Sequence, residues 1–511
     1  MYEGLIQGLY LCFALHNVLY LTGGVVLGIM LGAIPGFNPS TAMVVLLPFT
    51  YFLPPDTALI FLSGVAGAAI YGGSITAILF RTPGTIGSVV TLIDGYEMTK
   101  KGQGVFALGI SGASSAIGGL LAGVSLFLFA PPLASLATKF SFPEIFVLIL
   151  WAFAIIGGLQ GSFLKSLAAG AFGMVLASVG ADPINAYPRM TFGMPDLFEG
   201  VNLITAIMGY FCFAEMMRIS KKNFIMHDLK SYQGGYRETL KGTLFVLARP
   251  FILLRGSAIG IIVGALPAAG TAIANMISYS MQKRFSKHPE NYGKGDPEGV
   301  LAAESANNAT EGSCFIPAIT LGIPGSNIAA ILLAAMTLHG IVVGPRVFLD
   351  HGPTVFALIF ATIYANIIMY LISFAISKHL SKITTLPVEK LVPWILVFIM
   401  IGVYAVRNST FDFTIMVIFG VMAYFMDEHG YSITALVLPF VLGASLEQSF
   451  LISMTYSDNS PFIFFKSTIC IILWLMIGAT LFLPLLLKRL TGRNNNAPPG
   501  ETNAQAKKAG P

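Results

Sequence analysis

Four short polar stretches interrupt an otherwise apolar chain, and they come in pairs. The first is Pro35-Gly36-Phe-Asn38-Pro-Ser40-Thr41-Ala42. The second runs from Tyr71-Gly-Gly-Ser74-Ile-Thr76 into Arg81-Thr82-Pro83-Gly84-Thr-Ile-Gly-Ser88. The third is Pro267-Ala-Ala-Gly270-Thr271-Ala-Ile-Ala-Asn275. The fourth runs from Glu311-Gly-Ser313 into Leu321-Gly-Ile-Pro324-Gly325-Ser326-Asn327. Proline removes a backbone donor and stops a helix, and glycine lets the chain turn sharply. Inside a bilayer such broken backbone is tolerated only where it is buried in protein or lines a cavity. A helix N-terminus at the break offers N–H groups and a positive dipole end, which suits a carboxylate. The carbonyls at the opposite broken end suit a cation such as sodium. Hydroxyl and amide side chains beside the break serve either partner. The expected substrate- and ion-binding set is therefore the prolines and glycines named with a number above, together with Asn38, Ser40, Thr41, Ser74, Thr82, Ser88, Thr271, Asn275, Ser326 and Asn327.

A fifth stretch, Glu298-Gly-Val-Leu-Ala-Ala-Glu304-Ser-Ala-Asn307-Asn308-Ala-Thr-Glu311, is polar where it abuts apolar sequence. Glu304 and Asn308 lie four apart and share a helix face, with Glu311 one turn further on. Glu304 and Glu311 read equally as carboxylates for a coupling cation or proton and as part of a solvated helix entry capped by Asp296 and Pro297. Asn307 and Asn308 join the candidate binding set.

The elements that must hold these residues repeat. Gly24, Gly28 and Gly32 lead into Pro35, and 232 residues later Gly256, Gly260 and Gly264 lead into Pro267. A glycine ladder alone marks close helix packing, and a lone proline in a membrane helix marks a kink. Their pairing across two halves, with hydroxyls and amides at each break, points instead to a central site between related repeats.

Composition sets the class. The chain is 55% hydrophobic and 10% charged, with a mean hydropathy of +0.78, against about 25% charged residues in soluble domains. We expect an all-α polytopic membrane protein built from two inverted-topology repeats with broken helices or re-entrant hairpins. At about 20 apolar residues per span, it has about 10–14 membrane segments. Residues 1–217 form the first membrane half, 218–255 a cytoplasmic basic connection, 256–488 the second half and 489–511 a disordered cytoplasmic tail. The basic residues between Arg218 and Arg255, and Lys488, Arg489 and Arg493, place that connection and the C-terminus inside. The N-terminus lacks the basic region of a cleavable signal. Lys283, Arg284, Lys287 and Lys294 follow the second ladder, so a segment that enters, breaks at Pro267 and returns satisfies both basic flanks.

Asp94-Gly-Tyr-Glu-Met-Thr-Lys-Lys-Gly102 reads as a cytoplasmic turn. Asp182, Arg189, Asp196 and Glu199, set among prolines, read as an outer-face loop. The four cysteines are dispersed in apolar contexts and read as core residues. No serine–histidine–acid set, His/Cys cluster or phosphate-cradling Gly-Lys motif occurs, and the net charge of +5 sits in topology signals, not in a nucleic-acid surface.

At these motifs the chain resembles the large membrane subunit of the tripartite tricarboxylate transporters. The matching segments are Gly32-Ala-Ile-Pro-Gly36, Tyr71-Gly-Gly-Ser-Ile-Thr-Ala-Ile-Leu79, Pro83-Gly84 with Asp94-Gly95-Tyr96, Gly264-Ala-Leu-Pro267, Glu304 with Asn307-Asn308-Ala309, and Gly322-Ile-Pro-Gly-Ser326 with Gly344-Pro345. The resemblance runs from about residue 20 to residue 480. This chain departs from the family pattern at Ala268-Ala269 and at Asn38. The resemblance implies a bacterial inner-membrane protein working with a small four-span membrane subunit and a periplasmic solute-binding protein. It implies citrate-like di- or tricarboxylates as substrates, an ion gradient (Na+ or H+) as the driving force and no nucleotide or other cofactor.

The expected function is secondary active carboxylate uptake with elevator-like alternating access, not catalysis. Pro35–Thr41 with Pro83–Ser88, and Pro267–Asn275 with Pro324–Asn327, are expected to meet near the bilayer midplane. The alternative is a carboxylate-permeable channel without ion coupling. A membrane enzyme acting on lipid-linked substrates would need metal-binding Asp or His clusters, which the sequence lacks.

Overall fold

In the computed structural model the chain is almost wholly helical; it describes residues 2–34, 37–85, 87–159, 163–182, 187–220, 235–266, 271–377 and 388–490. Pro35, Gly36, Pro267 and Gly270 lie outside the described residues. The first half holds α1 (Tyr2–Phe13), α2 (Leu15–Gly32), α3 (Pro39–Thr50), α4 (Pro55–Phe80), α5 (Ser88–Lys100) and α6 (Gly104–Ala137). It continues with α7 (Phe142–Leu159), α8 (Phe163–Ala177) and α9 (Leu203–Ser220). Then come α10 (Tyr236–Leu247), α11 (Pro250–Gly264), α12 (Thr271–Phe285), α13 (Pro297–Ser313), α14 (Phe315–Leu321), α15 (Asn327–Leu338) and α16 (Gly352–Ile376). The chain closes with α17 (Val388–Arg407), α18 (Phe411–Glu428), α19 (Ile433–Tyr456) and α20 (Thr468–Leu490).

Among the described residues six helices are long and apolar enough to cross a bilayer: α2, α4, α6, α9, α16 and α19. Helices α10 and α11 make a seventh apolar unit bent by 78°. This is fewer continuous spans than the expected segment count, because several apolar stretches are broken. Residues 315–349, for example, split into α14 and α15 at Gly322–Ser326. The connection over 218–255 is also more structured than a loop. It contains α10, whose Gly242 packs into Phe106–Ile110 of α6, and the start of α11.

The two glycine ladders perform the same task. Gly24, Gly28 and Gly32 of α2 lie against the carbonyls of Phe61, Val65 and Ala69 on α4. Gly256, Gly260 and Gly264 of α11 lie against those of Ala302, Ala306 and Thr310 on α13. A Cβ at Gly28 would sit 2.7 Å from Val65 O, and one at Gly260 would sit 2.6 Å from Ala306 O. Only glycine allows this backbone approach, which replaces the hydrophobic drive that lipid does not supply.

The repetition continues past the ladders. Helix α4 ends at Arg81 and α14 ends at Gly322, both in the left-handed region with φ of 58° and 72°. Each is followed after one residue by Pro-Gly. The helices returning from the ladders cross between halves: α12 packs on α5, which follows the first Pro-Gly, and α3 packs on α15, which follows the second. Arg81 and Gly322 are 241 residues apart, and so are Gly67 and Asn308. This last pair touches, with Asn308 Nδ2 donating to Gly67 O at 3.2 Å. Positions equivalent in the repeat therefore meet at the centre, where α4, α6, α13 and α16 pack together.

The segment Asp94–Gly102 is not a turn. Asp94 to Lys100 belong to α5, because Gly95 lets α5 press onto Ile78 of α4 and Asp94 bonds outward instead of turning its own backbone. The loop at Asp182–Glu199 carries a short antiparallel pairing of Gly180–Ala181 with Pro188–Arg189. Arg189 clamps Glu447 of α19, and Glu199 pairs with Arg407 of α17 at 2.9 Å.

Candidate functional site

Helix α13 carries the polar face of the centre. Asp296 caps it, accepting from Glu298 N at 2.9 Å, with Pro297 in the first turn. Burial holds the Asp296 carboxyl above the usual carboxylate range. Beyond this entry the helix is buried: Glu304 and Asn307 are 0% exposed, Asn308 2% and Glu311 9%. The solvated reading of Glu304 and Glu311 is therefore overturned, because neighbouring helices enclose both.

Glu304 is held entirely by hydroxyls from the first half. Ser74 of α4 donates at 2.8 Å, Ser111 and Ser115 of α6 at 3.1 and 2.7 Å, and Thr91 of α5 also donates. A buried carboxylate needs this many donors or a counter-charge. Here the donors come from three helices, so Glu304 ties the two halves together. Glu311 has a thinner shell. Its Oε2 accepts from Ser326 Oγ at 2.9 Å, the Cys314 thiol lies 3.7 Å away, and Thr271 also faces it. Neither carboxylate has an ion pair among the described residues.

At the first Pro-Gly break two asparagines from the second half converge. A Cβ at Gly87 would overlap both Asn307 Oδ1 and the Asn275 Nδ2 amide. Asn275 is fully buried and, among the described residues, neither its Oδ1 nor its Nδ2 has a hydrogen-bond partner; Asn307 Oδ1 is unpartnered in the same sense. Asn307 Nδ2 reaches Ser74 Oγ only at 3.5 Å. Gly87 opens α5, whose first turn is shaped by reciprocal bonds: Ser88 N donates to Thr85 Oγ1 at 2.8 Å and Thr85 N to Ser88 Oγ at 3.0 Å. The site is thus a helix N-terminus facing two buried amides, of which Asn275 and the oxygen of Asn307 have no hydrogen-bond partner among the described residues.

The structure brings some expected residues here and sends others elsewhere. Ser74, Gly84, Ser88, Asn275 and Asn307 lie around this break, with Gly84 N bonded to Gly73 O at 3.2 Å. Pro83 is exposed, and Thr82 turns back on its own helix end, its Oγ1 donating to Phe80 O at 3.3 Å and its N–H to Thr76 O at 3.3 Å. Asn38 caps α3, accepting from Thr41 N at 2.8 Å, and Thr41 Oγ1 reaches Phe211 O at 3.3 Å. Ser40 is buried in the same turn. Pro324 and Gly325 are buried, with Gly325 against Cys314 and Gly264. Ser326 caps α15, and Asn327 accepts from Thr434 of α19 at 2.9 Å.

Sequence reasoning missed Thr91, Ser111 and Ser115, which enclose Glu304, and Asn366 on α16. The available signal was the presence of hydroxyls and one amide inside apolar helices, where polar groups mark function. It also missed the role of Asp94. That carboxylate accepts from Gly293 N, Gly295 N and Asp296 N at 2.8–2.9 Å and from Tyr279 Oη at 2.8 Å. It fixes α5 to the entry of α13, and so holds Gly87 against the asparagines. Among the described residues no group of three or more His, Cys, Asp or Glu side chains is placed to hold a metal.

Residues 18–438 match the model of the tripartite tricarboxylate transporter TctA family. An uncharacterized 52.8 kDa protein in the TAR-I ttuC′ 3′ region of Agrobacterium vitis is 35% identical over 89% of this chain and 90% of its own length. An uncharacterized protein in the TAR-II ttuC′ 3′ region of the same organism is 33% identical over 41% of this chain and 87% of its own length. No solved structure matches. The family match spans the ladders, both Pro-Gly breaks and the polar face of α13, and this multi-pass membrane protein belongs to the tripartite tricarboxylate transporter TctA family.

Proposed function

We propose that this protein is the secondary active importer of a tripartite system, taking up citrate-like di- or tricarboxylates across the bacterial inner membrane. The observation that carries this is the pair Asn275 and Asn307 at Gly87. Unpaired buried amides are costly, and an amide donor facing a helix N-terminus recognises a carboxylate. Asn275 also keeps an acceptor open, which suits a substrate bearing a hydroxyl beside its carboxylates. In this reading a periplasmic binding protein delivers the substrate and a small four-span subunit completes the membrane complex. A Na+ or H+ gradient drives the step.

The halves act as inverted repeats, with the C-terminus cytoplasmic. The crossing of α3 and α12 between halves and the meeting of Gly67 with Asn308 support this, since equivalent residues touch where a twofold relation passes between them. The core around α4 and α13 moves against a scaffold formed by α7 and α17–α20, as an elevator.

The test is uptake of labelled citrate, and of other di- and tricarboxylates, by the three components reconstituted in vesicles. Uphill uptake that requires an imposed Na+ or H+ gradient is expected, and Gly87→Ala should abolish it by filling the space between the asparagines. Downhill flux indifferent to any gradient would make the protein a channel. Uptake unchanged in Asn275→Ala and Gly87→Ala would remove the substrate site from this break.

A further inference from the structure

A small cavity of about 20 Å³ lies where the repeat-related pair Gly67 and Asn308 meet. It is separate from the Asn275–Asn307 pair. Its walls come from five helices and both halves: Ser63 and Gly67 of α4, Asn308 and Glu311 of α13, Thr362 and Asn366 of α16, with apolar residues of α14 and α15 completing it. The volume holds one water-sized occupant.

The polar atoms facing this space are almost all acceptors. Asn308 is 2% exposed and its Nδ2 donates to Gly67 O, while its Oδ1 has no partner among the described residues. Asn366 is 4% exposed and spends its Nδ2 on Thr362 O at 2.8 Å, again leaving Oδ1 without a partner. The single proton of Thr362 Oγ1 goes to Leu358 O at 2.9 Å. Ser63 must then donate to Thr362 Oγ1 across their 2.9 Å contact, so the Ser63 oxygen is left with lone pairs only. Glu311 adds a buried carboxylate without an ion pair among the described residues. With Glu311 ionised, two amide oxygens, a hydroxyl oxygen and the carboxylate form a hard, oxygen-only donor set with one negative charge. A water molecule brings protons for two of these oxygens but leaves the charge; a monovalent cation answers both.

We propose that this cavity is a Na+ site, coordinated by Asn308 Oδ1, Asn366 Oδ1, Ser63 Oγ and the Glu311 carboxylate. Its position explains a coupling route. Glu311 also accepts from Ser326, the cap of α15 at the second Pro-Gly break, and Asn307, which faces the first break, neighbours Asn308 on the same helix. Occupancy therefore braces both breaks through α13. The role in coupling rests on the uptake reading above; the binding itself does not.

The test is equilibrium binding of ²²Na+ to the purified full-length protein in detergent, with a thermal-stability scan in NaCl, KCl and choline chloride at equal ionic strength. Saturable binding of one Na+ per chain is expected, competed by Na+ and not by K+, with a thermal midpoint that rises with Na+ alone. Glu311→Gln and Asn366→Ala should each weaken binding at least tenfold. Gly119→Ala should do so with every ligand residue retained, since its Cβ would displace the Asn366 amide oxygen. Asn275→Ala should lose carboxylate uptake and keep Na+ binding, which separates this proposal from the substrate reading. No saturable Na+ binding by the wild-type protein, binding shared equally with K+, or full binding retained in Glu311→Gln and Asn366→Ala would each overturn it.

Discussion

At Arg81–Gly87 and at Gly322–Ser326 a helix ends in a left-handed residue and continues through Pro-Gly into a new helix, yet the two breaks face different neighbours. The first is met by Asn275 and Asn307. At the equivalent positions, eight residues after Pro35 and seventeen before Pro83, stand Met43 and Ala66. At the second break Gly325 lies against Cys314 and Gly264, Ser326 is engaged by Glu311, and Asn327 by Thr434. Pro83 is exposed and Pro324 buried. One scaffold, written twice, yields an open polar break on one side and a closed one beside a buried carboxylate on the other. In the proposed cycle the first receives the anion and the second answers to the cation.

The largest effect should come from the asparagines that make the first break different. Each hydrogen bond to a charged group is worth about 1.5–3 kcal/mol, so Asn275→Ala or Asn307→Ala should weaken carboxylate binding by about 10- to 100-fold. Ser326→Ala at the second break should leave that affinity within about threefold, on the rule that contacts not made to the ligand matter little. Titration calorimetry with the isolated full-length protein compares them, and equal losses at both breaks would erase the distinction.

The anchoring of the two breaks differs next. Asp94 staples α5 to the loop before α13 through three donors and to Tyr279 of α12 through a fourth, while the equivalent position on α15 is Ala335. Removing a buried acceptor of several bonds costs on the order of 3 kcal/mol. Asp94→Ala should lower the thermal midpoint markedly. Asp94→Asn keeps the acceptor for the three backbone N–H groups and should lose much less.

The left-handed caps give a smaller contrast. Gly322→Ala should cost about 1 kcal/mol, the penalty for a Cβ at positive φ, whereas Arg81→Gly relieves that strain and should leave stability unchanged or raised. The gain is reduced by whatever the stacking of Arg81 on Tyr96, 5.9 Å from the ring centroid, contributes. Opposite signs in a denaturation series would confirm the two caps as equivalents.

The smallest effect belongs to Asp296. Its folded-state pKa lies above its ordinary value because of burial. Its contribution to stability is therefore greatest below the unfolded pKa and is lost as pH rises through the folded one. Asp296→Asn keeps a good helix cap without the charge, so it should raise the thermal midpoint slightly at about pH 7 and not at about pH 4, near the unperturbed carboxyl value. A drop at neutral pH would mean that the charge, not the cap, is what α13 needs.

Much of this was legible in the residues. Glycine at spacing four, ending in proline, marks a helix that packs by its backbone and then stops, and both ladders do pack that way. Pro-Gly after a left-handed residue marks a break wherever it occurs. Partners were not legible in the same way. Asn38 and Asn275 sit at comparable breaks in sequence, but Asn38 spends its oxygen on the N–H of Thr41 while Asn275 has no partner among the described residues. Glu304 and Glu311, seven residues apart on one helix, differ because hydroxyls from three other helices reach only the first. Asp94 looked like a turn because Asp-Gly is turn chemistry locally, and it became a helical staple because the loop at 293–296 came within reach.

Sequence alone determined the class, the doubling and the positions of the breaks. These follow from local properties: apolar content, the missing N–H of proline and the missing Cβ of glycine act wherever the residue stands. Only the tertiary structure decided which polar atoms are satisfied and which are left open. That depends on helices from both halves meeting at one point, as α4, α6, α13 and α16 do around Gly67 and Asn308. The open amide oxygens at Gly87 and beside the central cavity are products of that meeting, and no spacing along the chain records them.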